Sequence, residues 1–109
     1  MKKLILAITA VGLWAQNPAD SGKKLFEVKA CYQCHGWLGQ GGLAGPRLAQ
    51  TKLNLTGFRA ILRDPPSSNM PPYRPAVLSD QEVADVFAYI QSFPAPKPAA
   101  DIPLLRNER

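Results

Sequence analysis

Cys31 and Cys34 flank Tyr32-Gln33, and His35 follows at once, so two thiols and one imidazole stand in the C-x-x-C-H spacing of covalent haem attachment. Each sulfur can add to one vinyl group of a porphyrin while the neighbouring imidazole reaches the iron from the same side. These are the only cysteines and the only histidine of the chain. Apart from the initiator, Met70 is the only methionine, which makes its thioether the candidate for the opposite face of the iron. A His/Met pair raises the potential of a haem and suits electron transfer.

Other uses of these residue types fit less well. Structural zinc takes four Cys, His or carboxylate ligands, usually as two pairs, and no second pair is present. A thioredoxin-like C-x-x-C would sit beside a βαβ pattern with a sheet to carry it, and no run of alternating apolar residues occurs; a plain structural disulfide is the other bland reading, and carries as little weight. A lone methionine is commonly a core filler. Here the polar Ser67-Ser68-Asn69 and the prolines Pro71-Pro72 around Met70 describe a stiff strap able to present a sulfur without a helix.

Short helices must position these groups. Asp20 or Ser21 is expected to cap a first helix that passes through Gly22, Leu25, Phe26 and Val28 into the cysteine motif, with Lys23, Lys24 and Lys29 toward solvent. Glycines at 36, 39, 41, 42 and 45 predict a close-folding loop, in which Trp37 either covers the porphyrin or packs elsewhere. A second helix is expected from Thr56 to Arg63, with Phe58, Ile61 and Leu62 on one face, ended by Asp64-Pro65-Pro66. Ser79-Asp80-Gln81-Glu82 is a capping box, after which Val83, Val86, Phe87, Ile90 and Phe93 recur at helical spacing until Pro94. The proline-rich segment 94–109 is expected to be an extended tail whose Ile102, Leu104 and Leu105 pack along the domain or dock on a partner, with packing preferred.

Size and charge point the same way. Lys2 and Lys3 precede the 11-residue apolar run Leu4 to Trp14, which is too short to span a membrane and reads as a signal peptide, residues 1–15, cleaved after Ala15. The chain is thereby expected in the periplasm, without stable membrane insertion. Residues 16–93 form one small domain, for which a haem would complete the core. The net charge of +5 falls to +3 without Lys2 and Lys3, and two propionates lower it further. The cations are scattered and no aromatic platform lies between them, so nucleic acid is not an expected partner.

From Ser21 to Phe93 the chain resembles a class I c-type cytochrome, the small bacterial monohaem kind, in which a first helix enters C-x-x-C-H and a Met follows on a loop before a last helix. The resemblance implies an all-α cytochrome c fold of three to four short helices around one haem c, attached through Cys31 and Cys34 and ligated by His35 and Met70. Gly22 and Phe26 match the positions where the first helix crosses the last, and Tyr89 the aromatic position opposite. Gly45-Pro46 stands where the family places a proline whose carbonyl accepts a hydrogen bond from the ligating imidazole, so Pro46 is implied as a haem-site residue. Met70-Pro71-Pro72-Tyr73 resembles the family's Met-Pro-x-aromatic loop. The Trp or Tyr that often ties the propionates is missing between Pro46 and Met70, which leaves Arg47, Asn54 and Arg59 as polar candidates. The implied function is one-electron transfer between redox proteins by a monomer, not an enzyme. A haem c subunit docked on a periplasmic dehydrogenase is the alternative.

Overall fold

The computed structural model describes Lys3 and residues 17–105; the expected signal peptide and its cleavage site fall outside these, apart from Lys3. Four α-helices are present among the described residues, with no strand beyond an isolated bridge between Gly42 and Gly45. The all-α expectation and the number of helices hold.

Helix α1 spans Pro18–Val28 and is capped by Asn17, whose side chain accepts the Ala19 N–H at 3.1 Å. The start is earlier than Asp20 or Ser21 because Pro18, with its preset φ and no N–H to satisfy, suits the first helical position. Asp20 lies in the first turn, where its charge complements the helix dipole. The helix does not run on into the cysteine motif. Ala30 takes a left-handed conformation at φ 62°, and a separate one-turn helix α2, Cys31–His35, begins after it. That break re-aims the chain so that Cys31, Cys34 and His35 border one cavity.

The glycine loop is closed on itself by its own backbone. Gly41 N–H donates to His35 O at 2.8 Å, and the Gly39 carbonyl accepts from both Leu48 (2.8 Å) and Ala49 (2.9 Å). Gly39 sits at φ +60°, and a Cβ there would meet the Phe93 ring at 2.7 Å, so only glycine fits the approach of loop to helix end. Helix α3, Leu55–Arg63, is capped by Asn54, which accepts the Gly57 N–H at 2.8 Å. Helix α4, Asp80–Gln91, carries the expected capping box: Glu82 N–H donates to Ser79 Oγ at 3.2 Å, and Ser79 N–H to Glu82 Oε1 at 2.9 Å.

α1 and α4 cross where sequence reading placed the crossing. Gly22 is buried, and a Cβ on it would land on the Asp85 carbonyl and 2.9 Å from Tyr89 Cβ. Just beyond, Phe26, Tyr89 and Phe93 meet edge to face, with ring centroids 4.7–5.7 Å apart. Such aromatic contacts add to the gain from burying the rings themselves. Phe26, Leu78, Val83 and Ile90 are wholly buried in the core that forms there.

The tail is not extended throughout: after buried Phe93 the chain makes two short 3-10 turns, Ala99–Asp101 and Pro103–Leu105, and of its three apolar residues Ile102 is half-buried while Leu104 is 85% and Leu105 50% exposed. Its hydrogen bonds there are local, from Asp101 to Pro98, Ile102 to Ala99 and Leu105 to Ile102. Pro94, Pro96 and Pro98 remove the N–H groups that could bond back to the domain. No described helix is long and apolar enough to cross a membrane.

Candidate haem site

α1, α2, α3, α4 and the loops between them enclose a mostly apolar cavity of about 560 Å³. Cys31, Cys34, His35, Pro46 and Met70 all line it. Sequence separation up to 39 residues is thus closed into a single space by the packing of α4 against α1 and of α3 against α4.

His35 is 7% exposed and stands 2.7 Å from the Pro46 carbonyl through Nδ1. A carbonyl only accepts, so Nδ1 carries a proton, and it is Nε2 that the neutral ring has left to offer a metal. That is the tautomer a ring needs to bind a metal through Nε2 with its orientation already set. Gly45 makes room for this contact, since a Cβ on it would lie 3.0 Å from Cys34 O and 3.1 Å from the imidazole.

The cysteines differ in exposure. Cys31 is partly buried, and desolvation, with the neighbouring Cys34 adding to it, pushes its thiol up to about 11 against the lowering effect of a backbone hydrogen bond. Burial penalises a thiolate but not a thioether, so the position suits a sulfur that is covalently capped. Cys34 is exposed at the cavity wall. With a ring nitrogen free and oriented, two thiols on one wall, and a thioether among the lining residues, the donor set fits a haem.

Met70 is held on the strap from Pro65 to Pro72, closed at its far end by Tyr73. Tyr73 N–H donates to Leu62 O at 2.8 Å and its hydroxyl to Lys29 O at 2.8 Å. Arg63 donates through Nη1 to the carbonyls of Tyr73 (2.8 Å) and Leu78 (2.6 Å), and through Nη2 to Asp80 Oδ1 at 2.7 Å. Burial, with Cys31 and Cys34 adding to it as free thiols, pushes the Tyr73 phenol up; like any phenol it is a donor at neutral pH. Sequence reading had not found the Arg63 contacts. Two of its three partners are backbone carbonyls, which leave no mark in residue types.

Among the polar candidates only Arg47 lines the cavity. It is steadied by Nε donating to Ala49 O at 3.1 Å and by a contact to Gln50, whose own Nε2 donates to Phe93 O at 2.9 Å. Asn54 is used as a helix cap, and Arg59 pairs with Asp80 at 3.9 Å. Trp37 lies off the cavity, stacked on Tyr32 with centroids 3.8 Å apart and 57% exposed.

The family model described as Cytochrome C oxidase, cbb3-type, subunit III matches residues 17–90, a span that holds every lining residue of the cavity. No curated protein and no solved structure matches the chain.

Proposed function

Because the chain belongs to that family of c-type cytochrome domains and is a small monohaem member of it, we propose that it is a periplasmic electron carrier with one His/Met-ligated haem c, passing single electrons between redox proteins. The observation that carries the ligand assignment is the His35 Nδ1–Pro46 O hydrogen bond in a cavity that Cys31, Cys34 and Met70 also line. The haem, when bound, supplies reversible one-electron chemistry at its iron.

The residues of the chain do the rest. Cys31 and Cys34 would tether the ring as thioethers. His35 would offer Nε2 to the iron, with Pro46 holding its other nitrogen. Met70 would offer its sulfur from the strap, and a thioether there would favour transfer over catalysis. Phe26, Phe58, Ile61, Leu62 and Val86 would exclude water around the group. Arg47 offers a cation for a propionate at the cavity wall.

The test is spectroscopic. The purified holoprotein should retain haem after acid-organic extraction and show a thioether-to-iron band in the ferric state; haem that extracts freely would refute covalent attachment. A second reading, a subunit docked on a periplasmic dehydrogenase, is favoured by the exposure of Leu104 and Leu105. Size-exclusion of native extract separates the two, since a free carrier elutes as a monomer and a docked subunit with its enzyme.

A further inference from the structure

Met70 packs against the core, but the strap that bears it has few hydrogen bonds to the rest of the fold. Among the described residues, its hydrogen bonds are internal: Met70 N–H to Ser67 O at 3.3 Å and Asn69 N–H to Ser67 Oγ at 3.2 Å. Pro65, Pro66, Pro71 and Pro72 have no N–H to give. The strap is therefore fastened at its ends, by Asp64 N–H on Ala60 O at 3.0 Å at the close of α3, and by Tyr73.

Arg63 governs the second fastening. Its guanidinium reaches the Tyr73 carbonyl at the strap end, the Leu78 carbonyl in the turn before α4, and the Asp80 carboxylate in the first turn of α4. Because it is the last residue of α3, it joins both flanking helices to the strap. Its side chain is 21% exposed, so these charge-assisted bonds are only partly competed by water. Arg63 does not itself line the cavity.

We propose that Arg63 is a positioning residue for the sixth ligand: by pinning Tyr73 to α3 and α4 it sets how often the strap opens and Met70 leaves the cavity. This rests on the reading of Met70 as the iron's sulfur ligand. Local opening of a segment with few fixed contacts occurs well below the free energy of global unfolding, and its frequency follows the contacts that close it. A planar fork can satisfy two carbonyls and a carboxylate together, whereas an ammonium at the same place cannot span all three.

Imidazole titration of the ferric holoprotein reads this opening, because imidazole binds the iron only where Met70 has left it. Arg63→Gln should bind imidazole about tenfold more tightly than wild type, which corresponds to about 1.4 kcal/mol. Arg63→Lys, which can keep the contact to Asp80, should fall between the two and guards against a Gln variant that fails to fold. In a Met70→Ala background the strap no longer competes, and Arg63→Gln should then change the affinity by less than about twofold. Hydrogen exchange gives an independent measure: protection of the Tyr73 amide should drop in Arg63→Gln with much less change at Ile90 in α4. Unchanged imidazole affinity, an equal change in both backgrounds, or equal loss of protection at Tyr73 and Ile90 would each overturn the proposal. Loss of the Met70 reading is separately visible, as a wild-type ferric protein without the thioether band.

Discussion

At the scale of single residues the site is a matter of which atoms are free to bind. The Pro46 carbonyl accepts a hydrogen bond from His35 Nδ1–H at 2.7 Å, which leaves Nε2 for a metal. This contact can be tested without altering a ligand. Gly45→Val places atoms against the imidazole and Cys34 O, and should rotate the ring and shift the potential while both thioether links survive; potentiometry checks it. Met70→Ala should keep haem covalently bound, lower the potential and admit cyanide or imidazole readily, because the loss of a thioether removes the ligand that favours the ferrous state. A potential unchanged by that substitution would count against Met70 as ligand.

At the scale of elements, caps and crossings decide where these atoms are delivered. The reciprocal Ser79–Glu82 bonds start α4 at a defined point, one residue before the Asp80 that Arg63 grips. Ser79→Ala should cost about 1 kcal/mol, measured by denaturant unfolding of the holoprotein. Hydrogen bonds from the Ser79 backbone and hydroxyl hold the Glu82 carboxyl below the usual carboxylate range. A lowered value means stabilisation that is complete above the ordinary Glu pKa and is lost as pH falls through the lowered one. Glu82→Gln should therefore flatten the acid limb of a Tm-against-pH curve. At the crossing, Gly22→Val would force side-chain atoms onto the Asp85 carbonyl and push α1 from α4; overpacking of that kind costs about 1–3 kcal/mol.

At the scale of the whole molecule, the core and the haem cavity share walls. Phe26, Leu62, Leu78 and Val86 belong to the packed core and also line the cavity. A chain that cannot hold a ring leaves these walls without the partner they pack on, so with Cys31 and Cys34 both replaced by Ala it should lose haem and most of its tertiary structure together. Near-UV circular dichroism against the wild-type holoprotein measures this, and a well-packed variant chain would show that the helices close without the ring.

The residue types and their spacing determined the chemistry: C-x-x-C-H with no spare cysteine or histidine, one internal methionine, and a capping box ahead of an apolar helix are local facts that survive in any conformation. The same spacing foretold the ends of α3 and α4 within a residue or two, while the Gly22 crossing and the Gly45-Pro46 contact were implied by the family resemblance. The cap at Asn17 is likewise local, set by Pro18 at the first helical position; only the tertiary structure decided the break at Ala30, the exposure of Leu104, and the choice of Arg47 over Asn54 and Arg59 at the cavity. The Arg63 grip on Tyr73 belongs to the same group. The physical reason is common to the last three: which side chain meets which backbone carbonyl, cavity or solvent depends on how distant segments pack, and a carbonyl is the same acceptor at every position in the sequence.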